Sequence, residues 1–599
     1  MFLRTKTVKN TPLVQLVESY RNAEGLPRQR VVASLGDARI PVDERRQIAH
    51  AVTQHMHGES ELFPEALSKE GTEWVRHIIQ VVQRSKAVRP ERESALLDGV
   101  LVNKVETENV LQLGPQLVAM RAWDDLGLSR ILEQAGMIPS SIATAQLMVS
   151  NRLIEPLSEW ALIDWSQRTA LPELLDVRVT KTSKDRLYRT SDQLLTHRKS
   201  IESALRKHEQ DLFSLRRSVV LYDVTNTHFE GVCESNPKAK HGKNKQKRND
   251  CRQVALGMAF DEQGFALAHE VFEGNMADTK TLVVMLDRLD LRDDELKPVV
   301  ILDAGFASEA NIAMLEERGY CYLINITRGR RMKYREYFEK ETFEALPGRT
   351  AQKQVEVKTI TDPENASRRL VLCRSTQRRI KEEAMISKAE SRFLSDAESL
   401  RQRVEKGRLK KPEIIERKIG ALKQKHPRVS RFYDIDLAEL SLSIVRRDEK
   451  IEEALSLCGD YVLKTDQSLD AATLWQLYMT LLKAENGFRL LKGSLGMRPN
   501  YHQLEDRVDG HIFISVLAYH LLTWFRHKFE QAGDMREWKT IRRLLSTHSL
   551  VTTRLPLKDG RIISIRKPSI PDAEQARVYA ILEIDWKQAC PPVQTEVKA

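Results

Sequence analysis

Apolar and polar positions alternate in short β-branched runs, then give way to longer runs of helical period, and these changes of period divide the chain. Leu3–Val8, Leu13–Tyr20 and Arg30–Leu35 predict three short strands, separated by Asn10-Thr11-Pro12 and by Ala23 to Pro27. From about Asp43 to Lys86 the period turns helical, and residues 98–106 predict one strand. Residues 115–210 predict a run of amphipathic helices, with Trp123, Leu126, Leu128, Ile131 and Leu132 as core candidates. Such a block serves either as plain helical packing or as a reader of a duplex groove.

Residues 217–326 predict the order β-β-β-α-β-α-β. A strand at 218–224 leads into a basic loop with Lys238, Lys240, His241, Lys243, Lys245, Lys247 and Arg248. Strands at Arg252–Phe260 and Phe265–Phe272 are joined by a hairpin turn over Asp261 to Gly264. Asp278 caps a helix over Thr279–Leu289, Pro298–Leu302 is a strand, Ser308 caps a second helix, and Tyr320–Ile326 is a fifth strand. Further on, Lys353–Thr361, Arg369–Cys373, Ser441–Val445 and Tyr461–Leu463 predict strands. Residues 378–428 between them predict charged helix, dense in basic residues from Arg401 to Arg428. A solvated face and a DNA-facing arm both account for that stretch. Residues 471–492 predict one helix with Leu474, Leu477, Tyr478, Leu481, Leu482 and Phe488 on its apolar face. After Met497–His502 the chain predicts helices through residue 550, then a basic tail with a short strand at Ile562–Ile565.

Three acidic residues interrupt this pattern. Asp223 and Asp303 each close a short apolar strand, where an unpartnered carboxylate is costly. An inert strand end accounts for one such Asp; two repeats of the placement favour a site at the strand ends. Glu485 lies seven residues after Tyr478 and three before Phe488, which predicts that it points inward with the apolar residues. The competing reading is a surface pair with Arg489, worth a few tenths of a kcal/mol.

Composition narrows the class. Among 599 residues, 41% are hydrophobic and 30% charged, as in a soluble globular protein of three or four domains. The net charge of +11 and a pI of about 9.2 fit a polyanionic partner, DNA or RNA. Cys233, Cys251, Cys321, Cys373, Cys458 and Cys590 form no CxxC pair, which argues against a zinc or disulfide framework and fits a reducing cytoplasm. No signal peptide is expected at the start. The apolar run Ile512–Phe525 is shorter than the roughly 20 residues of a membrane span and predicts a buried core helix.

Two Asp on neighbouring strands and a Glu on a helix packed against them suffice to hold Mg²⁺, which takes oxygen ligands. Two such ions about 3.5–4 Å apart stabilise both the attacking and the leaving oxygen of a phosphoryl displacement. The basic loop, Arg489 and Lys492 then neutralise phosphates and position a duplex.

On these residues the chain resembles the DDE-type insertion-sequence transposases, in the insertion sequence family 4 superfamily, in the branch with a long β-rich insertion before the Glu. The motifs are Leu221-Tyr-Asp223-Val-Thr-Asn-Thr-His-Phe-Glu230, His241-Gly-Lys-Asn-Lys-Gln-Lys-Arg248 with the hairpin up to Asp278, and Val300-Ile-Leu-Asp303-Ala-Gly-Phe306. The last is a helix with Tyr478, Glu485, Phe488, Arg489 and Lys492, followed by Arg498-Pro-Asn-Tyr-His502. The interval from Asp303 to Glu485 is 182 residues (485 − 303), which fits the branch. The signature Arg three residues after the Tyr is Leu481 here.

The resemblance implies an α/β multidomain protein. Its RNase H-like catalytic core would be interrupted by a mixed β/α insertion and preceded by a small β unit and a helical region. The expected boundaries are 1–40 (β unit), 41–210 (helical, DNA-binding), 211–330 (core with both Asp), 331–470 (insertion), 471–550 (core with the Glu helix) and 551–599 (tail). It implies Asp223, Asp303 and Glu485 as catalytic metal ligands for Mg²⁺, with Mn²⁺ as a substitute. Tyr478, Arg489, Lys492, Arg498 and His502 join the basic loop as expected DNA contacts. It implies cleavage at the element's terminal inverted repeats, strand transfer into target DNA, a homodimer in the synaptic complex, and a prokaryotic cytoplasm at the nucleoid. A catalytically silent DNA-binding derivative and a hydrolytic nuclease are the alternatives.

Overall fold

The computed structural model describes residues 1–8, 11–21, 26–57, 67–86, 96–176, 183–215, 218–242, 248, 250–289, 297–346, 354–438 and 441–598. They form two compact units: residues 1–108 with 552–565 and 593–599, and residues 109–551 with 566–592. The expected helical region 41–210 and tail 551–599 are therefore each divided between units.

In the first unit, strands Phe2–Val8, Thr11–Arg21 and Pro27–Ser34 form an antiparallel sheet. Val14, Leu16 and Ala33 alternate onto one face and bury against Ile48 and Val52 of the helix Arg45–His57 and Ile78 of Lys69–Lys86. The single strand expected at 98–106 is instead a two-residue hairpin, Leu96–Leu97 with Val100–Leu101, then a 3₁₀ turn; the longer strand is Glu106–Gln112. Asp98 and Gly99 explain the difference, because both have positive φ (49° and 84°) and turn the chain back on itself.

The second unit is built on a nine-stranded sheet. Its order is Glu344–Leu346, Val355–Thr361, Arg369–Ser375, Asp460–Thr465, Cys321–Asn325, Val299–Leu302, Val219–His228, Gln253–Phe260, Ala266–Glu273. The last five strands, with helices Asp278–Leu289 and Glu309–Glu317, are the expected β-β-β-α-β-α-β unit, and the parallel centre with an antiparallel hairpin edge is RNase H-like. Asp278 is the first residue of its helix rather than its cap, whereas Ser308 caps its helix through a 3.2 Å bond from the Asn311 amide. The insertion extends the core sheet outward, with Asp460–Thr465 paired to Cys321–Asn325, and adds a separate two-stranded sheet of Tyr433–Ala438 with Ser441–Arg446.

Alternation sends neighbouring residues to opposite faces. Val220, Tyr222, Val300, Leu302, Tyr322 and Ile324 bury against the two crossover helices. Val219, Leu221, Ile301 and Leu323 belong to the larger core on the other face, which includes Ala484, Phe488 and Leu491 and the helices of 114–213. All five core candidates between Trp123 and Leu132 are buried there. The helix Glu505–Gln531 runs through this core with its apolar stretch fully buried, as a core helix does.

Candidate active site

The register of three parallel strands sets the site. Tyr222 pairs with Leu302 and Leu302 with Ile324, so the next residues, Asp223, Asp303 and Asn325, stand in a row across the sheet. Neighbouring strands are about 4.8 Å apart. Each of the three follows a residue of the crossover-helix face, so all three turn to the opposite face, on which Phe488 packs. Asp223 is not at its strand's end; the strand continues to His228, and the site arises where the Asp303 strand stops beside it. Asp223 is half-buried and its Oδ1 accepts the Val224 amide at 2.8 Å, while Asp303 is exposed.

The stretch expected as one helix is two, Ala471–Met479 and Leu481–Lys492. At the joint, the amides of Thr480 and Lys483 donate to carbonyls three residues back, at 3.1 and 2.8 Å. Such tight turns advance by about 120° per residue rather than 100°. The phase shift overturns the inward reading of Glu485: the side chain is exposed, and so is Leu482. The buried face of the second helix is instead Leu481, Ala484, Gly487, Phe488 and Leu491. Phe488 meets Phe260 edge-on at 5.6 Å, and Lys492 donates to Thr225, two residues beyond Asp223. These contacts hold the Glu485 helix over the face to which Asp223 and Asp303 turn.

Tyr478, on the first helix, accepts a 3.0 Å hydrogen bond from Asn325 Nδ2. Burial, followed by the charge of Asp303, pushes its phenol above the ordinary range. Sequence reasoning passed over Asn325, although it closes an apolar run just as the two Asp do.

The expected DNA contacts divide. Lys240, His241 and Arg489 are exposed, and Arg489 donates to its neighbour Asn486 at 2.6 Å. Lys243, Lys245 and Lys247 lie outside the described residues. Arg248 binds Asp250 at 3.0 Å. Lys238 turns inward instead, with its ammonium 2.7 Å from Asp509 and 3.0 Å from Glu505, because the long helix presents two carboxylates to it. His502 also turns inward, 3.5 Å from Glu159 and edge-on to His511. Arg498 lies near His228, whose pKa falls through burial and then through the charges of Arg248 and Arg498.

The donor atoms of Glu159, His502 and His511 lie within 4.8 Å of one another. The buried Arg152 guanidinium, however, donates to His511 Nδ1 at 2.9 Å. The Arg152 cation beside these groups makes the cluster a charge network, and its positive charge opposes a metal cation there. Burial opposes ionisation of Glu159, but His502, Arg152 and His511 outweigh it and hold its carboxyl down to about 2.

A divalent cation fits the row. Asp303 and Glu485 are exposed carboxylates with no ion pair among the described residues, and Asp223 stands beside Asp303. Adjacent carboxylates repel, and a hard cation with oxygen ligands relieves the repulsion.

Residues 214–521, more than half of the chain, match the family described as the transposase DDE domain, and the chain belongs to that family. Residues 3–59 match the IS1634 family transposase N-terminal domain. The chain is thus a transposase, an enzyme class that cuts and joins DNA with divalent metal ions. Similar solved structures include a piggyBac transposase synaptic complex with hairpin DNA (11% identity, 68% of this chain and 70% of that chain, TM-score 0.34). A Mos1 transposase paired-end complex with the left transposon end is another (11% identity, 47% and 78%, TM-score 0.14). These scores leave the family match to carry the assignment. No curated protein matches the chain.

Proposed function

We propose that the protein binds the terminal inverted repeats of an insertion sequence, cleaves at the element ends and transfers the 3′ ends into target DNA. Asp223, Asp303 and Glu485 are the metal ligands in this reading, and Mg²⁺ is the ion, with Mn²⁺ as a substitute. The observation that carries it is the pairing of Asp223 beside Asp303 under the helix that bears Glu485. When bound there, metal ions supply charge stabilisation to the attacking and leaving oxygens of the phosphodiester. The chain's own part is positioning. Asn325 and Tyr478 brace the floor of the site, Lys492 fixes the helix, and the exposed Lys240, His241 and Arg489 are available to phosphates. The 182-residue interval (485 − 303) supports the branch with a long insertion in the family 4 superfamily. Synapsis by a homodimer at the nucleoid, in a reducing cytoplasm, completes the reading.

The test is a cleavage and joining assay with the purified chain, Mg²⁺ and duplexes carrying the element's own terminal repeats. Cleavage and joining by the wild type, lost in Glu485→Ala, is expected. Joining by Glu485→Ala would overturn the ligand set. Binding without cleavage in the wild type would make the protein a DNA-binding derivative, and cleavage without joining a nuclease.

A further inference from the structure

The helix Thr376–Glu405 and the helix Pro412–Lys425 form an arm between the sheet strands Arg369–Ser375 and Asp460–Thr465. The arm has an apolar core of its own, in which Phe393, Ala397, Leu400 and Val404 meet Ile415, Ile419 and Leu422. At about 1.5 Å per residue the 30-residue first helix is about 45 Å long. Specific pairs hold its base: Tyr433 donates to Glu390 at 2.5 Å and His426 lies 2.7 Å from Asp396. The arm is therefore a packed element and not a solvated tether.

Its outer surface carries most of the chain's charge excess. From Arg401 to Arg428 there are eleven Lys and Arg against three Glu, so 28 residues hold +8 (11 − 3) of a total of +11. Lys406, Arg408, Lys410, Lys411, Arg417 and Lys418 are all exposed and make no ion pair among the described residues. Like charges gathered without counter-ions destabilise the free protein, so the concentration favours a polyanion. The stretch holds no Phe, Tyr or Trp, which leaves nothing to stack on unpaired bases or to anchor in a lipid surface.

We propose that this arm grips the phosphate backbone of duplex DNA without reading its sequence, adding to the affinity contributed around the active site. The proposal rests on the reading that the enzyme works on duplex DNA, and it assigns the insertion a holding role separate from the Asp223–Asp303 row.

The experiment measures binding of the full chain to a random-sequence 30-base-pair duplex by fluorescence anisotropy over a KCl series, in EDTA. Each phosphate contact contributes about −0.9 to the slope of log K against log salt. The variant Lys406→Gln, Arg408→Gln, Lys410→Gln and Lys411→Gln is expected to make the slope shallower by about 3–4. A second variant, Arg417→Gln with Lys418→Gln, is expected to make it shallower by about 2. An unchanged slope in both variants, with unchanged circular dichroism, overturns the proposal. Because metal is absent, the result is independent of cleavage: arm-dependent binding by a protein that never cuts DNA refutes the proposed function and leaves this one standing. DNA cutting with unchanged slopes does the reverse.

Discussion

Asn325 Nδ2 donates to the phenol oxygen of Tyr478 at 3.0 Å, and this bond joins the third strand of the carboxylate row to the helix that precedes Glu485. Asn325→Ala removes the donor and leaves a largely buried hydroxyl short of its partner. The expected loss of stability is about 1–3 kcal/mol, read by urea denaturation. End cleavage should fall further than stability explains, because the Asp303 side of the site loses its brace; Asn325→Gln restoring the full rate would argue against a demand for that geometry.

Gly487 packs the Glu485 helix tightly against Phe260 of the sheet and Tyr519 of the long buried helix. A Cβ there would stand 2.9 Å from a ring carbon of Phe260 and 2.9 Å from the Tyr519 hydroxyl, both deeply buried. Gly487→Ala gains about 1 kcal/mol of helix propensity, but overpacking a rigid core costs about 1–3 kcal/mol. Net destabilisation is expected, with slower cleavage from a displaced Glu485. Thermal melts and single-turnover rates check both; a variant more stable than wild type would show that the contact yields freely.

Burial, against hydrogen bonds from the Phe265 and Gln263 amides, pushes the Asp261 carboxyl up to about 7 from 3.8. Its folded pKa is raised, so its contribution to stability is full below about pH 4 and is lost as pH rises through about 7. Asp261→Asn keeps an acceptor oxygen for both amides and never ionises. The melting temperature of the variant relative to wild type should therefore rise from pH 5 to pH 8. A difference independent of pH would mean that the carboxyl ionises normally.

Glu159 has the opposite sign. Its folded pKa is depressed to about 2, so its contribution is present above pH 4.5 and lost as pH falls toward 2. Glu159→Gln leaves Arg152 without its nearby carboxylate and should cost about 3 kcal/mol at pH 7, with a smaller cost at pH 3. Addition of Zn²⁺ should leave the wild-type melting temperature unchanged, because the buried Arg152 cation against His511 opposes a second positive charge in the cluster. Strong stabilisation by zinc would make this cluster a metal site after all.

Periodicity in the sequence was enough for the β-β-β-α-β-α-β order, the three N-terminal strands, the buried helix after Glu505 and the two Asp beside their strands, because each is a local property of residues a few places apart. The face presented by Glu485 was not legible. A turn of tight hydrogen bonds at Thr480 resets the helical phase, and no count of residues from Tyr478 registers it. Nor could spacing show that Lys238 and His502 are taken up by Asp509 and Glu159, since those partners lie hundreds of positions away in the chain. Asp223 and Asp303 were visible as candidates from their apolar neighbours alone. That they stand side by side, with Asn325 as the third in the row, was decided by the parallel register of three strands, which depends on long-range pairing across the sheet rather than on any stretch of the chain.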